Sequence, residues 1–236
     1  MKIKLILLFC SAIIGVNSAF SNAYSENDFK SDWAAPFAYK KTRNILAWGT
    51  GATILLVANG ENFVNPLQED IAEEEPLGDL ASIGDYSGRG IPNIIYAASM
   101  YYQGDSKSKR RSLTMVKASV FSGLSVFFLK RMINQQRPDK GDRNSYPSGH
   151  TSTAFAFASV ISLEHESWSI PAYTLATLVG FSRMNDNVHY LHDVVMGAAI
   201  GMAYGYAFHK KAQKNESNLT ALPYNDGGMV VFQKRF

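Results

Sequence analysis

The sequence predicts an all-α protein: a compact helical bundle of about six core helices with a short C-terminal strand-like tail. Three observations carry that expectation. Apolar residues gather in segments of helical length at 44–60, 92–102, 112–135, 151–164, 168–182 and 188–209. No alternating apolar–polar pattern of any length interrupts them. The chain has 236 residues, 46% apolar and 12% aromatic, enough for the core of one ordinary domain.

Taken in order, residues 1–23 have the build of a secretory signal. Lys2 and Lys4 form a basic start, 5–16 is an apolar run, and small residues follow at Ser18, Ala19, Ser21 and Ala23. The chain is therefore expected to be exported to a bacterial periplasm, soluble or membrane-associated, the alternative being an integral membrane protein with its site on the outer face. The only cysteine, Cys10, falls inside the signal, so no disulfide or Cys-based metal site is expected beyond it. Residues 24–42 read as a surface arm and 44–60 as a buried helix. Residues 61–89 are acidic and turn-rich, suited to short helices and loops over one end of the fold. The helical domain is expected over 24–208. Beyond it, 209–236 reads as a polar linker and a short tail, with a turn at 224–228 before the strand 229–232.

The uncharged runs last about 12 to 17 residues, short of the roughly 20 that cross a bilayer. A water-soluble or membrane-surface bundle is therefore expected over a set of spans. The formal charge is +3, and Lys2 and Lys4 supply two of those charges. Such a balance gives no general attraction to nucleic acid, and strong anion binding must come from a local cluster.

Three segments concentrate polar residues amid apolar helix. In the first, Lys130 and Arg137 are seven apart, placing two cations on one helix face, with Pro138 disfavouring helix at Arg137. Two such cations suit an oxyanion, though a solvated basic helix end has the same composition. In the second, Ser148 and Gly149 stand just before a helix, where unused backbone N–H groups make an anion cradle, and His150 stands at its rim to donate a proton. A plain helix cap reads the same way. In the third, His189 and Asp193 are four apart on one helix face, so the acid can orient the imidazole, and Arg183 adds a guanidinium fork. A surface His–Asp pair has the same spacing. His192 points elsewhere on that helix and is left out. Gly197, Gly201 and Gly205, four apart, form a smooth stripe for a close neighbouring helix.

Together the segments read Lys-x6-Arg-Pro, then Pro-Ser-Gly-His, then Ser-Arg-x5-His-x3-Asp. In this order they resemble the type 2 phosphatidic acid phosphatase superfamily, which includes bacterial class A acid phosphatases and vanadium haloperoxidases. The resemblance runs from about residue 82 to 208, with every signature position filled. It implies a metal-independent phosphatase without a cofactor. Lys130, Arg137, Ser148, Gly149 and Arg183 would hold the phosphate. His189 would attack phosphorus to form a phosphohistidine, Asp193 would orient it, and His150 would protonate the leaving alkoxide. The substrate would be a phosphorylated small molecule or lipid phosphate, with lipid ranked first and the protein associated with a membrane surface. A broad-specificity soluble acid phosphatase, a vanadate-dependent haloperoxidase and a non-catalytic phosphate-binding scaffold are the alternatives.

Overall fold

The computed structural model describes residues 26–214 in full, and Asn215, 217–224 and 227–234 in backbone alone. The expected signal, 1–23, lies outside the described residues. The chain divides into two compact units, residues 1–34 and 35–236.

The described part of the first unit is α1 (Glu26–Trp33). Glu26 and Asp28 sit in its first turn and Lys30 in its last, each complementing the helix dipole, and Lys30 pairs with Glu26 at 2.6 Å. The second unit opens with α2 (Ala35–Ala38) and α3 (Lys40–Ala58). Residues 26–42 are thus mostly helical, where the sequence suggested a surface arm.

After a π-turn at Gly60–Val64 come α4 (Asn65–Glu74), α5 (Leu80–Gly88), α6 (Ile91–Gln103) and α7 (Ser106–Ile133). They are followed by α8 (Gly149–Glu164), a 3-10 turn at Glu166–Trp168, α9 (Ser169–Asn185) and α10 (Leu191–Asn215). The fold is all-α, with ten α-helices among the described residues where about six core helices were expected. Short helices at 26–38 and 65–88 make up the difference. Past α10, the backbone of β1 (Ser217–Tyr224) pairs antiparallel with β2 (Gly227–Lys234).

Helices α8 and α10 form the centre of the second unit. Their approach depends on the glycine stripe: a Cβ on Gly197 would lie 2.5 Å from Ser148 O, one on Gly201 2.2 Å from Ser152 O, and one on Gly205 2.6 Å from Ser159 Cβ. Helix α3 meets the other side of α10 through Gly49, where a Cβ would fall 2.3 Å from Ala199 Cβ. Around this axis Met115, Ala156, Val160, Val179 and Ala203 are fully buried, and Phe121, Tyr204 and Phe208 stack together from α7 and α10.

Helix α3 is not buried all round. Thr42, Gly49 and Thr53 face the core, whereas Trp48 is 78% exposed and Ile54, Leu55 and Val57 also face outward. The lack of charge over 44–60, which suggested burial, marks an apolar outer face instead. Among the described residues one helix, α7, is long and apolar enough to cross a membrane by length and composition.

A charged cluster ties the far ends of α7, α8 and α10. Glu164 accepts from Arg110 at 2.8 and 3.2 Å, from Arg111 Nε at 2.8 Å and from His209 Nδ1 at 2.9 Å. Burial alone would raise its pKa; the His209 and arginine hydrogen bonds outweigh it and hold the carboxyl far below its usual range.

Candidate active site

The three sequence segments converge at the opposite end of α8 and α10 from the Glu164 cluster. Helix α10 starts at Leu191, so His189 and Asp193 do not share a helix as the spacing suggested; His189 lies in the turn before it. The helix begins where it does because Asp193 caps it. The Asp193 Oδ2 atom accepts from Tyr190 N at 3.0 Å, while Asp193 N and Val194 N donate to Tyr190 O. An acid at the third helical position that reaches back to the cap N–H is half of a capping box. The turn before it is closed by Val188 N and His189 N, both donating to Arg183 O.

The same Oδ2 accepts from His189 Nδ1 at 3.3 Å and from Ser145 Oγ at 2.5 Å. Asp193 is wholly buried and His189 is 3% exposed. With Nδ1–H directed at the carboxylate, the Nε2 lone pair of a neutral His189 is available to react. Burial alone would raise the Asp193 carboxyl, but the His189 hydrogen bond, the two neighbouring imidazoles and Ser145 hold it low. Burial lowers the His189 pKa; Asp193 opposes this, and the charges of Lys130 and Arg137 reinforce it. His189 is thus kept in the neutral form that a nucleophile requires.

Lys130 lies in the last turn of α7, which ends at Asn134 in the left-handed conformation (φ 51°). Arg137 therefore sits beyond the helix, in the loop to α8, and the shared helix face expected for the two cations does not exist. Asn134 stops the helix earlier than Pro138 would alone. The loop nevertheless brings the cations together. Lys130 Nζ donates to the carbonyls of Asn144 and Ser145, and Arg137 Nε donates to Asp142 Oδ1 at 2.7 Å. Burial first, then the Arg137 charge, pull Lys130 down to about 8.

Ser148 is the cap of α8, as its position suggested. Its Oγ accepts from Thr151 N and Thr151 Oγ1, and its N–H donates to Asp193 O at 3.0 Å, locking the two helix starts together. Gly149 and His150 supply first-turn amides, which an α-helix leaves without an internal acceptor. A Cβ on Gly149 would meet only Val126 Cγ1 at 3.6 Å, so the protein itself does not demand glycine there. The empty face suits close approach of an oxyanion.

Arg183, 4% exposed near the end of α9, donates to Asp186 Oδ2 at 2.7 Å and to Asp85 Oδ1 at 2.8 Å. Asp85, on α5, was not singled out by the sequence, which placed it in a turn-rich stretch of short helices and loops. It also lies 3.2 Å from His150 Nε2 and pairs with Arg89. Helix α5 brings it there by way of Gly84 and Gly88, whose added Cβ atoms would strike Ser182 Oγ at 2.2 Å and His150 Cβ at 2.6 Å. The Gly-x3-Gly spacing around Asp85 was the available signal for a packed helix. Burial and the Arg183 charge pull His150 down to about 4, with Asp85 opposing them.

His192, left out on helical geometry, is 6% exposed and its Nε2 lies 3.2 Å from Asp193 Oδ1. Because α10 begins at Leu191, His192 falls in its first turn beside the acid. The site as a whole combines a buried, carboxylate-oriented imidazole, three cations, a helix-start cradle and a second imidazole. That set can bind a tetrahedral oxyanion and attack its central atom.

Residues 111–217 match the profile of the PAP2 superfamily. A lipid A 1-phosphatase of Porphyromonas gingivalis is 40% identical over 108 residues, covering 41% of this chain and 24% of that protein. A lipid A 1-phosphatase of Rhizobium etli is 32% identical over 97 residues, covering 35% of this chain and 42% of that protein. The match thus spans less than half the length of each of these curated relatives. Among solved structures, the crystal structure of Aquifex aeolicus LpxE superposes with a TM-score of 0.54 at 26% identity, covering 64% of this chain and 98% of that one.

Proposed function

We propose, from the match of residues 111–217 to the PAP2 superfamily, that the chain is an exported phosphatase that removes phosphate from phosphorylated lipids through a phosphohistidine. The observation that carries this reading is the buried His189–Asp193 pair, whose proton is influenced by both Lys130 and Arg137. Lys130, Arg137, Arg183, Ser148 and the Gly149 N–H hold the phosphoryl oxygens. Their fixed charges and dipoles offset the negative charge of the transition state.

In the first step His189 Nε2 forms a bond to phosphorus as the bond to the leaving oxygen breaks, and His150 gives that oxygen its proton. In the second, the neutral His150 takes a proton from water, the water oxygen bonds to phosphorus, and the nitrogen–phosphorus bond breaks. Inorganic phosphate and neutral His189 result, and His150 is again protonated. Asp193 stabilises the imidazolium character that develops on His189. Asp85 positions His150 and Arg183 without touching the substrate.

Two things support a lipid substrate. The relatives matched are lipid A 1-phosphatases. Exposed apolar side chains also crowd α3, α5, α6 and α7, among them Trp48, Leu55, Ile83, Ile95, Tyr102 and Phe128, as on a protein seated against a membrane surface.

The reading is tested by measuring phosphate release from phosphatidic acid, a polyprenyl diphosphate and p-nitrophenyl phosphate, with and without EDTA. Release that resists EDTA, prefers a lipid and vanishes in His189→Ala supports it. Equal release by the mutant, or none from any substrate, overturns it.

A further inference from the structure

The turn that carries His189 from α9 to α10 is built around Asn187. This residue is half-buried and left-handed (φ 54°), a conformation that asparagine tolerates better than most side chains but does not favour unaided. Three hydrogen bonds hold it there. Its N–H donates to Met184 O at 2.9 Å, its carbonyl accepts from Asp139 N at 3.0 Å, and its Oδ1 accepts from Gln68 Nε2 at 3.0 Å. Two residues further on, the His189 N–H closes on Arg183 O. A shift of the backbone at Asn187 is therefore carried directly to the imidazole.

Gln68 reaches this turn from α4, 119 residues earlier in the chain and outside the residues that match the superfamily profile. It is 2% exposed. Its Nε2 also donates to Met184 O at 2.8 Å, so both amide hydrogens are spent on the turn. Rotating the amide would set its oxygen against two other oxygens, which fixes its orientation. The Gln68 Oε1 that results is buried and makes no hydrogen bond. Such a buried acceptor is destabilising, so what the side chain contributes is its pair of hydrogens. Leu77 N, just beyond α4, braces the same region by donating to Asn185 Oδ1 at 3.0 Å.

Arg183 does not depend on this clasp. Its guanidinium is held by Asp85, Asp186 and the Ser182 hydroxyl. Loosening the turn would thus displace the nucleophile while leaving that cation in place. We propose that Gln68 is a positioning residue: acting through Asn187, it fixes the turn that sets His189 against the bound phosphate. The role rests on the phosphatase reading above.

The test uses the full chain and the variants Gln68→Met, which keeps the length without the amide, and Asn187→Ala, alone and combined. Four quantities are measured: kcat and KM on the wild type's preferred substrate of the three named above, inhibition by inorganic phosphate, and the thermal midpoint. Each single variant is expected to lower kcat about tenfold or more, with phosphate inhibition within about twofold of wild type. The double variant is expected to lower kcat no further, because both changes break the same contact. Asn187→Gly, which adopts the left-handed conformation freely, is expected to regain part of what Asn187→Ala loses. Falls that multiply in the double variant, or a loss of phosphate affinity equal to the loss in kcat, would assign Gln68 to general packing and overturn the proposal. Unchanged kcat in either single variant, or no gain from glycine, would overturn it too. Inactivity of the wild type on all three substrates would remove the phosphatase reading and this role with it.

Discussion

Asp85 joins a guanidinium to an imidazole, and its charge sets how readily His150 holds a proton. Burial and Arg183 place His150 at about 4, so few molecules carry the acid form at neutral pH. In the proposed mechanism the acid form protonates the leaving group, so kcat/KM is expected to climb as pH falls from 7 toward 5. Asp85 raises the His150 pKa, so Asp85→Asn lowers it and moves that climb to still lower pH; the pH profile of kcat/KM checks this. Gly149 invites a second experiment. Its added Cβ has ordinary room beside Val126, so Gly149→Ala is expected to change stability by less than about 1 kcal/mol. The methyl would still stand where an oxyanion approaches, so kcat/KM should drop about 100-fold while the melting temperature barely moves. The eight signature residues were legible because each group is local in sequence and chemically distinctive. Asp85 was not, since it lies 98 residues from Arg183 and meets it only through packing of α5.

The helices carry a different lesson. The stripe of Gly197, Gly201 and Gly205 was readable as a packing face, and the structure sets it against the backbone of α8. At Gly201 a side chain would collide with Ser152 O and Ala156 N, neither of which can rotate away. Gly201→Val is therefore expected to cost about 1–3 kcal/mol or more, read as a lowered denaturation midpoint with an unchanged slope. Helix existence was legible from apolar runs, whereas two helix ends were not. The α7 end depends on Asn134 adopting a left-handed conformation, and the α10 start on a carboxylate reaching back to Tyr190 N. Both are choices between neighbouring hydrogen bonds that periodicity does not register. Absence of charge over 44–60 likewise misled at α3, since an exposed apolar helix face has the same composition as a core.

Charge is concentrated at two poles of the α8–α10 axis, the candidate active site and the Glu164 cluster. The latter serves stability. Burial would raise the Glu164 pKa, but its hydrogen bonds depress it, so the contribution is present above the unfolded value near 4.5 and lost as pH falls below it. Glu164→Gln leaves Arg110 and Arg111 without their buried partner and is expected to cost about 3–5 kcal/mol at neutral pH. The variant should also be less sensitive to acid than wild type, which urea titrations at pH 7 and pH 4 would measure.

Asp193 holds an imidazole with the same oxygen that starts a helix, and its main-chain carbonyl anchors the neighbouring cap. Inheritance of this fold without its chemistry is thus constrained in one direction. A descendant lineage can discard His189 or His150 and remain folded, whereas discarding Asp193 removes the side chain that starts α10 and holds Ser145. Retired members of such a lineage should be recognisable as chains that keep the aspartate and have mislaid a histidine.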